Sequence, residues 1–271
     1  MPEDLPTAAA STTATATTTA ATTTPGTTRH PAPAGTPSTP AGTPSAPAGT
    51  PSAPTAASGV GAAAAGPVVG FDLDMTLIDS RPGIGAVYAA LAAETGVDID
   101  VELVTSRLGP PLEQELANWF PAGQVAGMSE RYRALYPSYA ITGSLSMPGA
   151  REAMDAVRAA GGRVLVVTAK YEPSAALHLK HLGIEPDLLI GGLWAEAKGE
   201  ALREHGASVY VGDHTGDVRG ARTAGALSVA VATGPCDPAE LGAAGADVVL
   251  RDLTEFPGWL ARHVAAGSAA V

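Results

Sequence analysis

The sequence predicts an α/β protein with a parallel sheet, a helical segment inserted near the start of that sheet, and a disordered tail in front. Three observations predict it. Six short apolar runs rich in β-branched residues recur after residue 66, each bounded by turn residues. Helical patterns alternate with them, as strands covered on both faces require. Residues 1–66 are almost entirely Ala, Thr, Pro, Gly and Ser, too poor in large apolar side chains to form a core.

The tail comes first. Its only formal charges are Glu3, Asp4 and Arg29. Residues 34–40 read AGTPSTP, and 41–47 and 48–54 both read AGTPSAP. This seven-residue repeat has no apolar seam and recurrent proline, so it reads as an extended linker. A partner-docking arm and a glycosylated stalk are the other readings. The opening MPEDLPTAAA lacks the basic and apolar regions of a secretory signal. No apolar run approaches the ~18 residues of a membrane span. The expectation is a soluble cytoplasmic protein without a membrane partner.

Val68-Val69-Gly70-Phe71 is the first predicted strand, and it runs into Asp72-Leu73-Asp74-Met75-Thr76. From Ser80 to Gly149 no buried strand is legible. Helical patterns lie at Ile84–Thr95, Ile99–Arg107, Leu112–Phe120 and Ser129–Tyr136. The chain therefore divides into a tail (1–66), an α/β core (67–80 and 149–271) and a helical subdomain (81–148). In the core a helix is predicted at Ala150–Ala160, then a strand at Arg163–Val167. A helix follows at Pro173–Leu182, opened by proline and closed by Gly183. Strands at Asp187–Ile190, Ser208–Val211, Leu227–Val231 and Asp247–Leu250 enclose helices at Gly199–His205 and Asp217–Ala224. The recurring "GGRV", "HGAS", "AGAL" and "AGAD" are helix C-caps feeding the next strand.

The 271 residues carry 16 basic and 27 acidic side chains, for a net charge of −11. An acidic body argues against a nucleic-acid binder and against a polybasic membrane-surface protein. The single cysteine, Cys236, excludes an intrachain disulfide or a cysteine-built zinc site. It sits in the turn Gly234-Pro235-Cys236-Asp237-Pro238 and reads as structural.

In a parallel α/β sheet, ligands bind beyond the carboxyl ends of the strands. Those positions hold Asp72, Asp74 and Thr76 after the first strand, and Thr168, Ala169 and Lys170 after the second. Lys198 follows at a helix start, and Gly212-Asp213-His214-Thr215-Gly216-Asp217 comes after Val211. Singly, each has a bland reading: a cap, a turn, a solvated lysine. Together they suit phosphoryl transfer. Several carboxylates suit Mg²⁺, a hard cation with oxygen ligands. One carboxylate can attack phosphorus, and another can move the proton. A hydroxyl and an ammonium can hold the phosphate.

The four stretches resemble the motifs of the haloacid dehalogenase-like phosphohydrolases. D-x-D-x-T stands here as Asp72-Leu73-Asp74-Met75-Thr76. The Thr after a strand is Thr168, the lysine is Lys198, and G-D-x-x-x-D spans Gly212 to Asp217. The resemblance implies a Rossmann-like core with a helical type-one cap. It implies Asp72 as nucleophile, Asp74 as general acid/base, and Thr168, Lys198 and Thr76 as phosphate contacts. It also implies Mg²⁺ on Asp72, Asp74 (through its carbonyl), Asp213 and Asp217. "TAK" at 168–170 and "RLGPPL" at 107–112 resemble the phosphoglycolate phosphatase branch and related pyrophosphatases. Arg107 then either meets a second substrate anion or makes a structural ion pair.

Two residues depart from the family pattern. Met75 stands where glycine is usual, and His214 where Ser or Thr is common. His214 reads as a spectator, a hydrogen-bond partner or an extra substrate contact. The function expected is Mg²⁺-dependent hydrolysis of a small phosphoglycolate-like or pyrophosphate-like metabolite through an aspartyl-phosphate. A β-phosphoglucomutase-like phosphomutase and a non-catalytic phosphate-binding scaffold are the alternatives. Dinucleotide binding is disfavoured because no G-x-G-x-x-G follows the first strand, and nothing in the sequence sets the oligomeric state.

Overall fold

The first predicted strand is the one on which the others are arranged. The structure, a computed structural model, describes residues 66–269. The repeat-tail readings lie outside the described residues. In chain order the strands are β1 (Val68–Phe71), β2 (Ile78–Asp79), β3 (Leu145–Ser146), β4 (Arg163–Val167), β5 (Leu188–Ile190), β6 (Val209–Gly212), β7 (Leu227–Val231) and β8 (Val248–Leu250). The helices are α1 (Arg81–Thr95), α2 (Val101–Ser106), α3 (Leu112–Leu116), α4 (Ala122–Tyr139), α5 (Ala150–Ala159), α6 (Glu172–Leu182), α7 (Glu196–Glu204), α8 (Thr215–Ala224), α9 (Pro238–Ala243) and α10 (Phe256–Ala269).

Six strands form a parallel sheet in the order β5-β4-β1-β6-β7-β8. After β1 the chain builds outward through β4 and β5, then crosses to the other side of β1 for β6, β7 and β8. The order therefore reverses at β1, and a crevice opens beyond the carboxyl ends of β4, β1 and β6.

β1, β4 and β7 keep their predicted bounds. β5 and β8 each start one residue late because an aspartate caps the neighbouring strand. The Asp187 carboxylate accepts from Val164 N at 2.7 Å, and Asp247 from Ser228 N at 2.8 Å. α7 starts at Glu196, which puts Lys198 in its first turn. α4 runs longer than predicted and continues through Pro137. α9 and α10 were not predicted.

Side chains alternate across the sheet with period two. Val69, Phe71, Val164, Val166, Val209 and Val211 face a core shared with α5 and α10. There the Phe71 and Phe256 rings meet edge-on at 5.4 Å. Leu165, Val167 and Tyr210 face the other side, against Leu202 of α7 and Ala221 of α8. Gly70 belongs to this second face, where a Cβ would come within 2.6 Å of Leu202 and 2.9 Å of Tyr210.

Between β2 and β3 lie α1 to α4, with an apolar cluster of their own that includes Val87, Tyr88, Leu91, Leu116, Tyr132 and Tyr136. The chain leaves and re-enters the sheet layer through antiparallel β2 and β3, paired Ile78 to Ser146 and Asp79 to Leu145. The sequence showed no strand here: two residues carry no alternation, and both residues of β3 are exposed. Among the described residues no helix is long and apolar enough to cross a membrane.

Candidate active site

β1 delivers Asp72 at its carboxyl end, β4 delivers Thr168, and β6 delivers Asp213, all buried. Lys198, from the first turn of α7, lies beneath them and is fully buried. Its ammonium stands 3.0 Å from Asp72 Oδ1, 2.6 Å from Asp217 Oδ1 and 2.9 Å from the Tyr210 hydroxyl. These three oxygens match its three protons. Burial alone would lower the Lys198 pKa, but Asp217 and Asp72 outweigh it and hold the ammonium charged.

One ammonium does not balance three buried acids. Asp72, Asp213 and Asp217 each place a carboxylate oxygen within 4.8 Å of the others. Burial raises the Asp72 pKa, Lys198 lowers it, and Asp217 and Asp74 raise it again, to about 6. Asp213 is pushed well above the usual range by burial and by Asp217 and Asp72. Close-set, hard oxygen donors with excess negative charge fit a Mg²⁺-type cation, which would relieve both strains. Two glycines make the packing possible. A Cβ at Gly212 would collide with the Asp217 carboxylate, and one at Gly234 with that of Asp213.

Asp74 faces a different neighbourhood. Its Oδ1 pairs with Lys170 Nζ at 2.9 Å and accepts from Ser80 Oγ at 2.5 Å. Burial pushes its pKa up, but Lys170 and Ser80 win, and it lies below the ordinary value. Two carboxylates two residues apart thus carry opposite shifts. Asp72, Asp74, Thr168 and Lys170 open onto a cavity of about 230 Å³, closed opposite by Tyr88 and Tyr132 among other residues.

The remaining candidates are placed as follows. The Thr76 hydroxyl donates to Asp213 Oδ1 at 2.9 Å and is wholly buried, bracing an acid rather than facing the cavity. Arg107 lines the cavity, yet its guanidinium forks onto Glu115 at 2.9 and 2.7 Å, the ion-pair arrangement. His214 is more than a spectator. Its Nδ1 accepts from Gly216 N at 2.9 Å and caps α8, and Asp217 Oδ2 accepts from His214 N to complete the capping box. Met75 has φ of +59°, the left-handed backbone that explains glycine at this place.

Two contributors escaped the sequence reading, and a third, Lys170, was seen without its role. Tyr210 reads as an ordinary strand residue, and nothing local shows that its hydroxyl reaches Lys198. Lys170 is visible at a strand end in "TAK", but its pairing with Asp74 spans 96 positions. The Tyr136–His178 hydrogen bond, at 2.8 Å, joins two elements 42 positions apart and has no local signal.

Residues 69–222 match the haloacid dehalogenase-like hydrolase family, and residues 191–256 match the HAD-hydrolase-like family. A phosphoglycolate phosphatase from Caulobacter vibrioides is 27% identical over 214 residues, covering 71% of this chain and 90% of that protein. Tyrosine-protein kinase PtkA of Mycobacterium tuberculosis is 29% identical over 181 residues, covering 62% of each. A haloacid dehalogenase-like family hydrolase from Streptococcus pneumoniae shares the fold, with TM-score 0.65 and 24% identity over 71% of this chain and 97% of that one. With its family matched over more than half its length, the chain belongs to the haloacid dehalogenase-like hydrolases, as a phosphatase of the phosphoglycolate-phosphatase-like branch.

Proposed function

We propose that the protein is a Mg²⁺-dependent phosphatase that hydrolyses a small phosphorylated metabolite, phosphoglycolate-like or pyrophosphate-like, through an aspartyl-phosphate on Asp72. The observation that carries this is the pair Asp72 and Asp74 opening onto one cavity with opposite environments. Lys198, itself braced by Tyr210, holds one oxygen of the Asp72 carboxylate, leaving the second to attack phosphorus in line with the departing oxygen. As the ester bond breaks, Asp74 gives its proton to the leaving oxygen. Asp74 then takes a proton from water, which attacks phosphorus and releases phosphate and free Asp72. Before substrate binds Asp74 is ionised by Lys170 and Ser80, and the negative charge of an arriving phosphate raises its proton affinity. Thr168, at the end of β4, holds the phosphoryl oxygens, and the buried Lys198 charge, with its protons on Asp72, Asp217 and Tyr210, offsets their negative charge from a distance.

Asp72, Asp213, Asp217 and the Asp74 carbonyl would hold the cation, which offsets charge on the phosphoryl oxygens when bound. The helices between β2 and β3 act as a cap that excludes water and meets the leaving group. Its apolar and tyrosine lining suits a small organic group.

The test is phosphate release from a panel of phosphomonoesters and pyrophosphate with Mg²⁺. A hexose phosphate arm detects mutase products, and an arm with ATP and a tyrosine peptide covers the activity named for the mycobacterial relative. Asp72→Asn is expected to lower turnover at least about 10³-fold. Turnover unchanged in that variant would sink the mechanism.

A further inference from the structure

Tyr136 belongs to α4 of the helical layer and His178 to α6 beside the sheet, yet the Tyr136 hydroxyl and His178 Nε2 lie 2.8 Å apart. Both residues are buried, and their rings meet edge to face at 5.5 Å. Lys170 stands next to this pair. Its ammonium is 5.1 Å from the Tyr136 ring centroid and 2.9 Å from Asp74 Oδ1. Asp74, the Lys170 ammonium and the Tyr136–His178 pair therefore follow one another from the cavity floor into the seam between the two layers.

His178 is a poor choice for filling space. Its Nδ1 is buried without a partner among the described residues, a penalty that leucine would avoid. Burial and the Lys170 charge hold the ring neutral, with a pKa of about 4. In a neutral ring with the proton on Nδ1, Nε2 accepts from the tyrosine hydroxyl. The hydroxyl oxygen then keeps its lone pairs toward the Lys170 charge, which stands 5.1 Å from the centroid of the same ring. One tautomer thus satisfies the tyrosine hydroxyl and Nε2 together, turns the oxygen's negative end toward the lysine charge and leaves Nδ1–H without a partner among the described residues.

We propose that Tyr136, anchored by His178, is a positioning residue that fixes Lys170 against Asp74 when α4 is seated on α6. The helical layer thereby sets the place of the proton donor in the chemistry below it. The inference rests on the phosphatase reading, with Asp74 as the acid.

The test compares two esters by kcat/KM, which reports phosphoryl transfer to the enzyme. 4-Nitrophenolate leaves without a proton, whereas the alkoxide of 2-phosphoglycolate needs one from Asp74. Tyr136→Phe removes only the hydroxyl. It is expected to lower kcat/KM for 2-phosphoglycolate at least about tenfold, and that for 4-nitrophenyl phosphate less than about threefold. His178→Leu should repeat the pattern, and His178→Gln, which keeps an acceptor, should restore most of the loss. Should Tyr136→Phe fail to fold, the two His178 variants decide. Equal losses on both esters, or none on either, overturn the proposal, as does a wild type that cleaves only the aryl ester. A wild type that releases phosphate from neither ester and from no other member of the panel removes the phosphatase reading, and this inference with it.

Discussion

The Tyr210 hydroxyl lies 2.9 Å from the Lys198 ammonium and donates to the Val167 carbonyl at 2.6 Å. The ring reaches this place because Gly70, on the neighbouring strand, leaves it room. Tyr210→Phe would leave one proton of a fully buried ammonium and one strand carbonyl without partners. Each such group costs about 1–3 kcal/mol. Urea unfolding is expected to show a loss of about 2 kcal/mol, with turnover reduced far less than by Asp72→Asn. A loss below about 0.5 kcal/mol would show that the hydroxyl does not hold Lys198.

Met75 combines a buried side chain with left-handed backbone. Its amide donates to Ile78 O at 2.7 Å, and its carbonyl accepts from Thr233 Oγ1 at 2.6 Å, so the peptide is pinned on both sides. An unbranched side chain tolerates this backbone at a cost of about 1–2 kcal/mol, whereas a β-branched one crowds it further. Met75→Leu is expected to stay within about 1 kcal/mol of wild type, and Met75→Ile to lose about 2 kcal/mol more than Leu. Leu and Ile have equal apolar volume, so melting curves of the two separate backbone strain from packing. Equal melting temperatures would remove strain from the account.

How much of this was legible follows from the range of the forces involved. β1, β4 and β7 were readable because β-branched runs between glycines report local burial. Asp72, Asp74, Thr168, Lys198, Asp213 and Asp217 were readable because each stands at a strand end or in the first turn of a helix, where topology alone brings them together. β2 and β3 were not, since pairing across the whole insertion leaves no pattern in two residues. α10 was missed although Phe256 and Leu260 are core residues, because Gly258 and Gly267 and the alanines blur its apolar stripe. Lys170, Tyr136 and Tyr210 act through contacts that only the folded chain creates.

The acid cluster makes a prediction about pH and metal. In the cation-free fold Asp72 titrates at about 6, against an ordinary 3.8. Between those values the folded chain keeps a proton that the unfolded chain has lost. Stability therefore falls as pH rises from about 4 to about 6. Asp213, also raised, acts in the same direction. Asp74, held low by Lys170 and Ser80, opposes it only below about pH 4. A cation on this cluster competes with those protons. Mg²⁺ should raise the melting temperature clearly at pH 7.5 and little at pH 5, the stabilisation being about 2.7 kcal/mol at a hundredfold excess over Kd. Asp213→Asn should abolish the shift. A shift equal at both pH values, or one that survives the substitution, would put the cation elsewhere.

Gly109 and His214 set the last expectation. Gly109, in the loop between α2 and α3, has φ of +139°, and a Cβ there would stand 2.9 Å from His214 Cδ2. The imidazole also packs against Trp194, with ring centroids 5.0 Å apart. The loop that carries Arg107 and Pro110 into the cavity wall therefore rests on a side chain from the Asp213–Asp217 segment. Gly109→Ala is strained in backbone and in space, and lifting this loop should lower kcat/KM about tenfold, mostly through KM. His214→Ser keeps an N-cap acceptor for α8 and clears the ring, so alone it should be mild. Combined, the serine removes the steric part of the alanine's effect and leaves the backbone part, so the double variant should recover a large share of the lost kcat/KM. Strictly additive losses in this cycle would show that the loop does not bear on His214 in solution.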